Sequence, residues 1–176
     1  MATLLHRLDR WANAEPEAPA QKYKARGEWQ TLTVKEFRDR VYHFALYLKS
    51  KGIGPGQSGA ILSYNRPEWV QMELALTLVG ARSVGLYPNS TAKDIHYILE
   101  HTESVILGVQ DADYLKKAGE LPRAGGQIVA LNDDGKIAPG AVGFLEAVEV
   151  GAQLALRGGE SWDSMLGKIY PGAGLF

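Results

Sequence analysis

Apolar residues recur at helical spacing through most of the first fifty residues, and two short runs interrupt that pattern. Residues 3–14 carry leucine, tryptophan and alanine on one stripe, which predicts an amphipathic helix. Short apolar and aromatic runs over residues 20–23 and 28–32 flank a glycine turn and predict a β-hairpin. Residues 33–36, Thr-Val-Lys-Glu, have the form of a capping box, and the apolar positions after them predict a helix that Gly52 ends.

Further along, short apolar runs alternate with stretches of helical spacing. The runs predict strands over residues 60–64, 83–87, 104–109 and 127–131, and the spacing predicts helices over residues 67–79, from residue 91, and over 112–118 and 142–156. The helix over 67–79 is apolar nearly all round and is predicted to be deeply buried, with Asn65 as its cap. Because each parallel crossover needs a helix, the alternation predicts an α/β fold. We expect a doubly wound, mostly parallel sheet with helices on both faces, an N-terminal helix and a small hairpin.

The last 19 residues differ from the rest in composition, since they contain five glycines and a proline. Such segments are typical of termini without a packed core. We therefore predict an α/β subdomain over residues 1–157 and a Gly-rich, poorly ordered tail over residues 158–176.

Composition excludes several classes of site and partner. The 176 residues include no cysteine, which rules out thiolate metal sites, disulfides and a cysteine nucleophile. With 19 basic and 20 acidic residues, the chain has no general attraction for nucleic acid. No apolar run approaches the ~18 residues of a transmembrane helix, and the first ten residues are charged where a signal peptide would be apolar. We expect a cytoplasmic protein with no nucleic-acid partner and no transmembrane segment.

The motifs with catalytic or metal-binding potential all have a simpler interpretation. Residues 54–59 match G-x-G-x-x-G, but they follow a predicted helix and precede a strand, the reverse of a nucleotide-binding loop, which favours a turn. His96 and His101 are five apart and point to different sides of a helix, so they do not predict a shared metal. The acidic pairs at 111/113 and 133/134 lie beside turns, where aspartate bonds to the backbone. From the residues alone we assign no catalytic, cofactor-binding or metal-binding residue.

Aromatic residues near the predicted carboxyl edge of the sheet are the remaining candidates for a site. Trp69, Tyr87 and Tyr97 are candidates for lining an apolar cleft, with core packing as the alternative. The loop over residues 87–91 leads from a strand into a capped helix and is the best placed to contact a ligand.

Four motifs resemble, in order and spacing, the N-terminal region of long-chain fatty acyl-CoA synthetases of the AMP-forming, adenylate-forming (AMP-binding) superfamily. They are WQTLT with Glu36-Phe37, GIGPG, NRPEW and LYPNST, at residues 29–33, 52–56, 65–69 and 86–91. The likeness covers residues 3–110 and continues more faintly to 149. Trp69, Tyr87, Pro88, Ser90 and Thr91 are our candidate acyl-cleft or domain-interface residues.

The resemblance implies a two-step reaction. Fatty acid and Mg-ATP give an acyl-adenylate and pyrophosphate, and coenzyme A then displaces AMP to form the thioester. ATP, magnesium and coenzyme A are therefore implied for the full-length family. Its enzymes use a Ser/Thr/Gly-rich phosphate loop ending in Pro-Lys-Gly, and this chain departs from that pattern after residue 170. No catalytic residue of the family can therefore be transferred to it.

Three hypotheses stay open at this point. The first is an N-terminal fragment of a long-chain fatty acid–CoA ligase, inactive alone, whose partner is the remainder of the synthetase. The second is a stand-alone, non-catalytic module that binds a fatty acid or forms a dimer through exposed apolar surface. The third is an unrelated doubly wound domain such as a receiver-like module, which the absence of aspartate from residues 60–64 and 83–87 disfavours.

Overall fold

A parallel sheet of five strands forms the centre of the computed structural model, which describes residues 3–25, 27–122, 125–132 and 140–169. The strands of this sheet are β3 (Ser58–Leu62), β4 (Arg82–Leu86), β5 (Ile106–Val109), β6 (Gln127–Ala130) and β7 (Val142–Gly143), in the order β4-β3-β5-β6-β7. Two further strands, β1 (Pro19–Ala25) and β2 (Glu28–Thr33), pair as a separate antiparallel hairpin. The predicted doubly wound α/β fold and its hairpin are therefore confirmed.

Helices cover both faces of the sheet. They are α1 (Leu4–Ala14), α2 (Val34–Ser50), α3 (Pro67–Leu78), α4 (Ala92–His101), α5 (Ala112–Ala118), α6 (Phe144–Leu156) and α7 (Trp162–Leu166). Successive side chains of β3 point to opposite faces of the sheet, so the core consists of two clusters. Ile61 lies in the cluster with the apolar side chains of α1, α2, α3 and α6, whereas Ala60 and Leu62 lie in the cluster with those of α4 and α5. No helix in the described part of the chain is long and apolar enough to cross a membrane.

Helix α3 lies between the sheet and α2, which explains why it is apolar nearly all round. Even its polar Glu68 and Gln71 are buried. Glycines in the strands let the helix approach: a Cβ at Gly59 would lie 2.6 Å from Leu76 Cδ2, and one at Gly108 would lie 2.6 Å from Met72 Sδ. The prediction of a deeply buried helix is confirmed.

Local capping agrees with the sequence at α2 but not at α3. Thr33 Oγ1 accepts from the Glu36 N–H at 3.2 Å, and a Glu36 carboxylate oxygen accepts from the Thr33 N–H at 2.7 Å, which completes the predicted capping box. The predicted cap of α3 was wrong, because Arg66 rather than Asn65 occupies the N-cap and gives no side-chain hydrogen bond. Pro67 at the first helical position lacks an N–H and so reduces the need for a cap.

The structure differs from the prediction over residues 158–169. Ser161 caps α7 with its hydroxyl, and Trp162, Met165, Leu166 and Ile169 are buried in the main core. The Glu160 carboxylate accepts from Lys49, from Ser164 Oγ at 2.6 Å and from Lys168 Nζ at 2.5 Å. These bonds lower the pKa of Glu160 to about 2. The first part of the predicted tail is thus packed, and residues 170–176 lie outside the described residues.

Candidate functional site

The strand order predicts a crevice at one edge of the sheet. The chain runs from β3 out to β4 and then returns past β3 to β5, with α3 on one face and α5 on the other. Where neighbouring strands lead to helices on opposite faces, their carboxyl ends leave room for a ligand. The candidate site is therefore the carboxyl edge between β3 and β5.

A single glutamine joins the two strand ends at the floor of this crevice. Gln110, directly after β5, accepts at Oε1 from the Tyr64 N–H at 3.2 Å and from Ser63 Oγ at 3.4 Å. Its own N–H donates to Leu62 O at 3.0 Å, and its Nε2 donates to Asp111 Oδ2 at 3.3 Å. With these bonds the Gln110 amide holds the two chain segments that leave the sheet here.

Tyrosine side chains form the rim of the crevice. The Tyr64 ring meets Tyr114 edge-on at a centroid distance of 6.2 Å, and its hydroxyl donates to Asn89 Oδ1 at 3.1 Å. Burial and the hydrogen bond to Tyr64 raise the pKa of Tyr114. Lys117 Nζ donates to Pro88 O at 2.7 Å, which ties the loop after β4 to α5. Three strand ends are thus linked around an exposed aromatic rim.

The structure places four of the five predicted site residues together in the loop between β4 and α4. Tyr87 is 82% exposed, and its carbonyl accepts from the Ser90 N–H at 3.0 Å. Pro88 is half-buried, and Thr91 caps α4 by accepting from the Asp94 N–H at 3.2 Å. Their assignment to an acyl cleft or a domain interface stays a prediction.

The fifth residue, Trp69, lies on α3 rather than in that loop. A Cβ at Gly85 would lie 3.3 Å from Trp69 Cζ2, so the indole lies over the backbone of β4. Trp69 also lines an open groove of about 1250 Å³ between the hairpin, the start of α3 and Asn132 after β6. Inside the groove wall, Arg66 Nε donates to the buried Glu68 carboxylate at 2.8 Å.

The motif at residues 54–59 and the acidic pair at 111/113 agree with their simpler interpretations. Residues 54–59 lie at the opposite, amino edge of the sheet, where the turn after α2 leads into the first two residues of β3. Asp111 caps α5 by accepting from the N–H groups of Asp113 and Tyr114, whereas residues 133 and 134 lie outside the described residues. His101 stacks on Tyr97 at 5.7 Å. Among the described residues, no group of three or more His, Asp or Glu side chains could hold a metal ion.

Sequence reasoning singled out the loop that contains Asn89 but missed the other residues at the floor and rim of the crevice, namely Ser63, Tyr64, Gln110 and Tyr114. Ser63 and Tyr64 lie at the end of a predicted strand, Gln110 lies directly after another, and Tyr114 lies in the helix that follows it. The signal that could have found them is the order of the strands. Ligands bind at the carboxyl ends of neighbouring strands whose helices lie on opposite faces, and the sequence does not show that β3 and β5 are neighbours.

Comparison with known proteins places the chain in a family. The sequence profile of the AMP-binding enzyme family matches residues 8–150. The long-chain-fatty-acid–CoA ligase heimdall of Drosophila melanogaster is 38% identical over 89 residues, which are 51% of this chain and 13% of that protein. The long-chain-fatty-acid–CoA ligase FadD15 of Mycobacterium bovis is 30% identical over 129 residues, 73% of this chain and 21% of its own length.

Solved structures share the fold. A Rhodopseudomonas palustris protein assigned as a long-chain-fatty-acid CoA ligase superposes with a TM-score of 0.70 at 26% identity, over 83% of this chain and 36% of that one. Acetoacetyl-CoA synthetase from Streptomyces lividans superposes with a TM-score of 0.71 at 22% identity, over 82% and 24%. The chain thus spans well under half the length of these relatives. It belongs to the AMP-binding enzyme family, and its resemblance to the acyl-CoA synthetases of that family is confirmed.

Proposed function

We propose that this chain is the N-terminal part of a long-chain fatty acid–CoA ligase, which converts ATP, fatty acid and coenzyme A into acyl-CoA, AMP and pyrophosphate. The observation that carries the proposal is the family match over residues 8–150, together with the ligases among its relatives. In such an enzyme this chain would supply the sheet edge between β3 and β5, held by Gln110, as a wall of the site.

A chimera tests the assignment. We expect that replacing the matching segment of FadD15 with the corresponding 129 residues of this chain gives a protein that still forms acyl-CoA from palmitate. Circular dichroism and thermal unfolding show whether the chimera is folded. A folded chimera that is active on a short or aromatic acid but not on palmitate would contradict the long-chain assignment.

We further propose that the 176-residue chain does not catalyse the reaction alone. Adenylate formation needs cations and oriented donors around the phosphates. The sequence contains no Ser/Thr/Gly-rich loop ending in lysine, and Lys117, the lysine at the crevice, already donates to Pro88 O. Palmitate-dependent exchange of pyrophosphate into ATP, measured with FadD15 as the positive control, should stay at background. Exchange above background would overturn this proposal and leave the family assignment intact.

The second candidate function is a stand-alone module that binds an acyl chain. The exposed Tyr64 and Tyr87 beside the crevice favour it, because aromatic side chains commonly line the sites that bind apolar ligands. Calorimetric titration with palmitate should then show saturable binding that Tyr87→Ala weakens and that Trp29→Ala, at another exposed aromatic position in the hairpin, does not. No heat of binding, or equal weakening by both variants, would contradict it. The cytoplasmic location stays a prediction.

A further inference from the structure

Among the residues that the structure describes, strand β4 lies at the edge of the sheet and pairs with β3 alone. The Arg82 N–H donates to Gln57 O at 2.8 Å, so the backbone of residues 82, 84 and 86 faces β3. Because backbone groups alternate along a strand, the N–H and C=O of Ser83 and Gly85 point away from the sheet. Gly85 is exposed and Ser83 is half-buried. The edge therefore presents two donors and two acceptors to solvent.

The free edge of β4 has few of the features that prevent an edge strand from pairing with a strand of another molecule. Proteins commonly protect edge strands with proline, lysine, a bulge or a very short length. Strand β4 has five residues without proline or lysine, and its register with β3 is regular. The one charged side chain of β4, Arg82, does not extend across the free edge. Its guanidinium donates to Ser58 Oγ and Gly56 O of the same chain, both at 3.2 Å. The opposite edge, β7, is protected by its length of two residues.

We propose that β4 is a self-complementary edge through which two copies of this chain associate. Antiparallel pairing about a two-fold axis at Val84 places Ser83 opposite Gly85 of the second copy, and Gly85 opposite its Ser83. Each such pair exchanges two hydrogen bonds. Four bonds then satisfy every outward N–H and C=O of the two residues in both copies, and the two sheets become one.

Side chains in this register are compatible with the pairing. Val84 packs against the cluster on the α4 and α5 face and meets its own copy at the axis, in the close, non-hydrogen-bonded position where β-branched pairs are favourable. On the other face Gly85 has no side chain, so the Trp69 ring can approach the strand there. A second copy fits because the outward donors and acceptors of Ser83 and Gly85 are symmetric about Val84. This inference does not depend on the proposed ligase function.

The absence of cysteine makes a direct test simple. In the proposed dimer, Val84→Cys places two thiols opposite each other on the axis, within the range of cross-strand pairs. We expect it to form a disulfide-linked dimer under mild oxidation at least about tenfold faster than Gln153→Cys on the exposed face of α6, because pairing raises the effective thiol concentration. Equal rates for the two variants would overturn the proposal.

Sedimentation of the unmodified 176-residue chain over a concentration series gives a second, independent readout. We expect a monomer–dimer equilibrium that Ser83→Pro abolishes, because proline removes one outward N–H in each copy, and that Ser83→Ala preserves. Should Ser83→Pro fail to fold, protection of the Ser83 and Gly85 amides from hydrogen exchange must rise with concentration in the unmodified chain. A monomer at every concentration, or a dimer whose Ser83 and Gly85 amides stay unprotected, would contradict the inference.

Discussion

Gly151 on α6 lies at the point where this helix crosses α2, and its replacement by alanine tests how closely the two helices pack. A Cβ at this position would lie 1.8 Å from the carbonyl oxygen of His43 and 2.5 Å from its carbonyl carbon. Contacts below 3.0 Å are essentially never seen for a Cβ, so the helices would have to separate by at least about 1.2 Å. The obstacle is backbone and cannot rotate away.

The energetic cost follows from that separation. A gap of about 1 Å forfeits up to half of the dispersion energy of the contacts it opens, and the Phe44–Phe144 stack, at 4.6 Å, lies between the same two helices. Overpacking costs about 1–3 kcal/mol and more where backbone must move, whereas alanine gains about 1 kcal/mol over glycine in a helix. We expect Gly151→Ala to lower the free energy of unfolding by about 2–3 kcal/mol.

Urea unfolding followed by tryptophan fluorescence measures the change, and Gly54→Ala is the matched control. At Gly54 the nearest atom to an added Cβ is Val79 O at 3.6 Å, an ordinary contact, so this variant should stay within about 0.5 kcal/mol of the unmodified chain. In a thermal scan Gly151→Ala should lower Tm by about 5–10 °C. Equal stability of the two variants would refute the close crossing of α2 and α6.

Three further predictions concern single interactions. Glu160→Gln should cost about 1 kcal/mol at pH 7, since its lysine partners are partly exposed. Because the pKa of Glu160 falls from 4.5 to about 2 on folding, this stabilisation is complete above pH 4.5 and lost towards pH 2, so urea midpoints of variant and unmodified chain should converge there. Thr33→Ala should lower the free energy of unfolding by about 1 kcal/mol, because it removes the cap of α2. Thr31→Ala, at an exposed position of β2, should leave it unchanged in the same assay. Gly108→Ala should cost less than Gly151→Ala, about 1 kcal/mol, because the obstacle is the flexible Met72 side chain; an equal loss would contradict this reasoning.

Much of the fold could be predicted because its local signals agree with one another. Strand β7 was missed, since its two residues are defined by pairing with β6 and not by a pattern of their own. The packed segment after residue 158 was missed for a different reason. Trp162, Met165, Leu166 and Ile169 follow the i, i+3, i+4, i+7 spacing of a buried helical stripe, but the nearby glycines suggested disorder.

The candidate site was harder to predict because its members are brought together by topology. Ser63 and Gln110 are 47 residues apart and meet only because β5 returns to the side of β3 that β4 leaves free. Gly151 poses the same difficulty: within the sequence it is a helix-weakening residue, and only the position of the His43 carbonyl explains it. At both places the residue type is set by a neighbour that is distant in the chain, so a local pattern can mark the position as unusual but cannot say what it contacts.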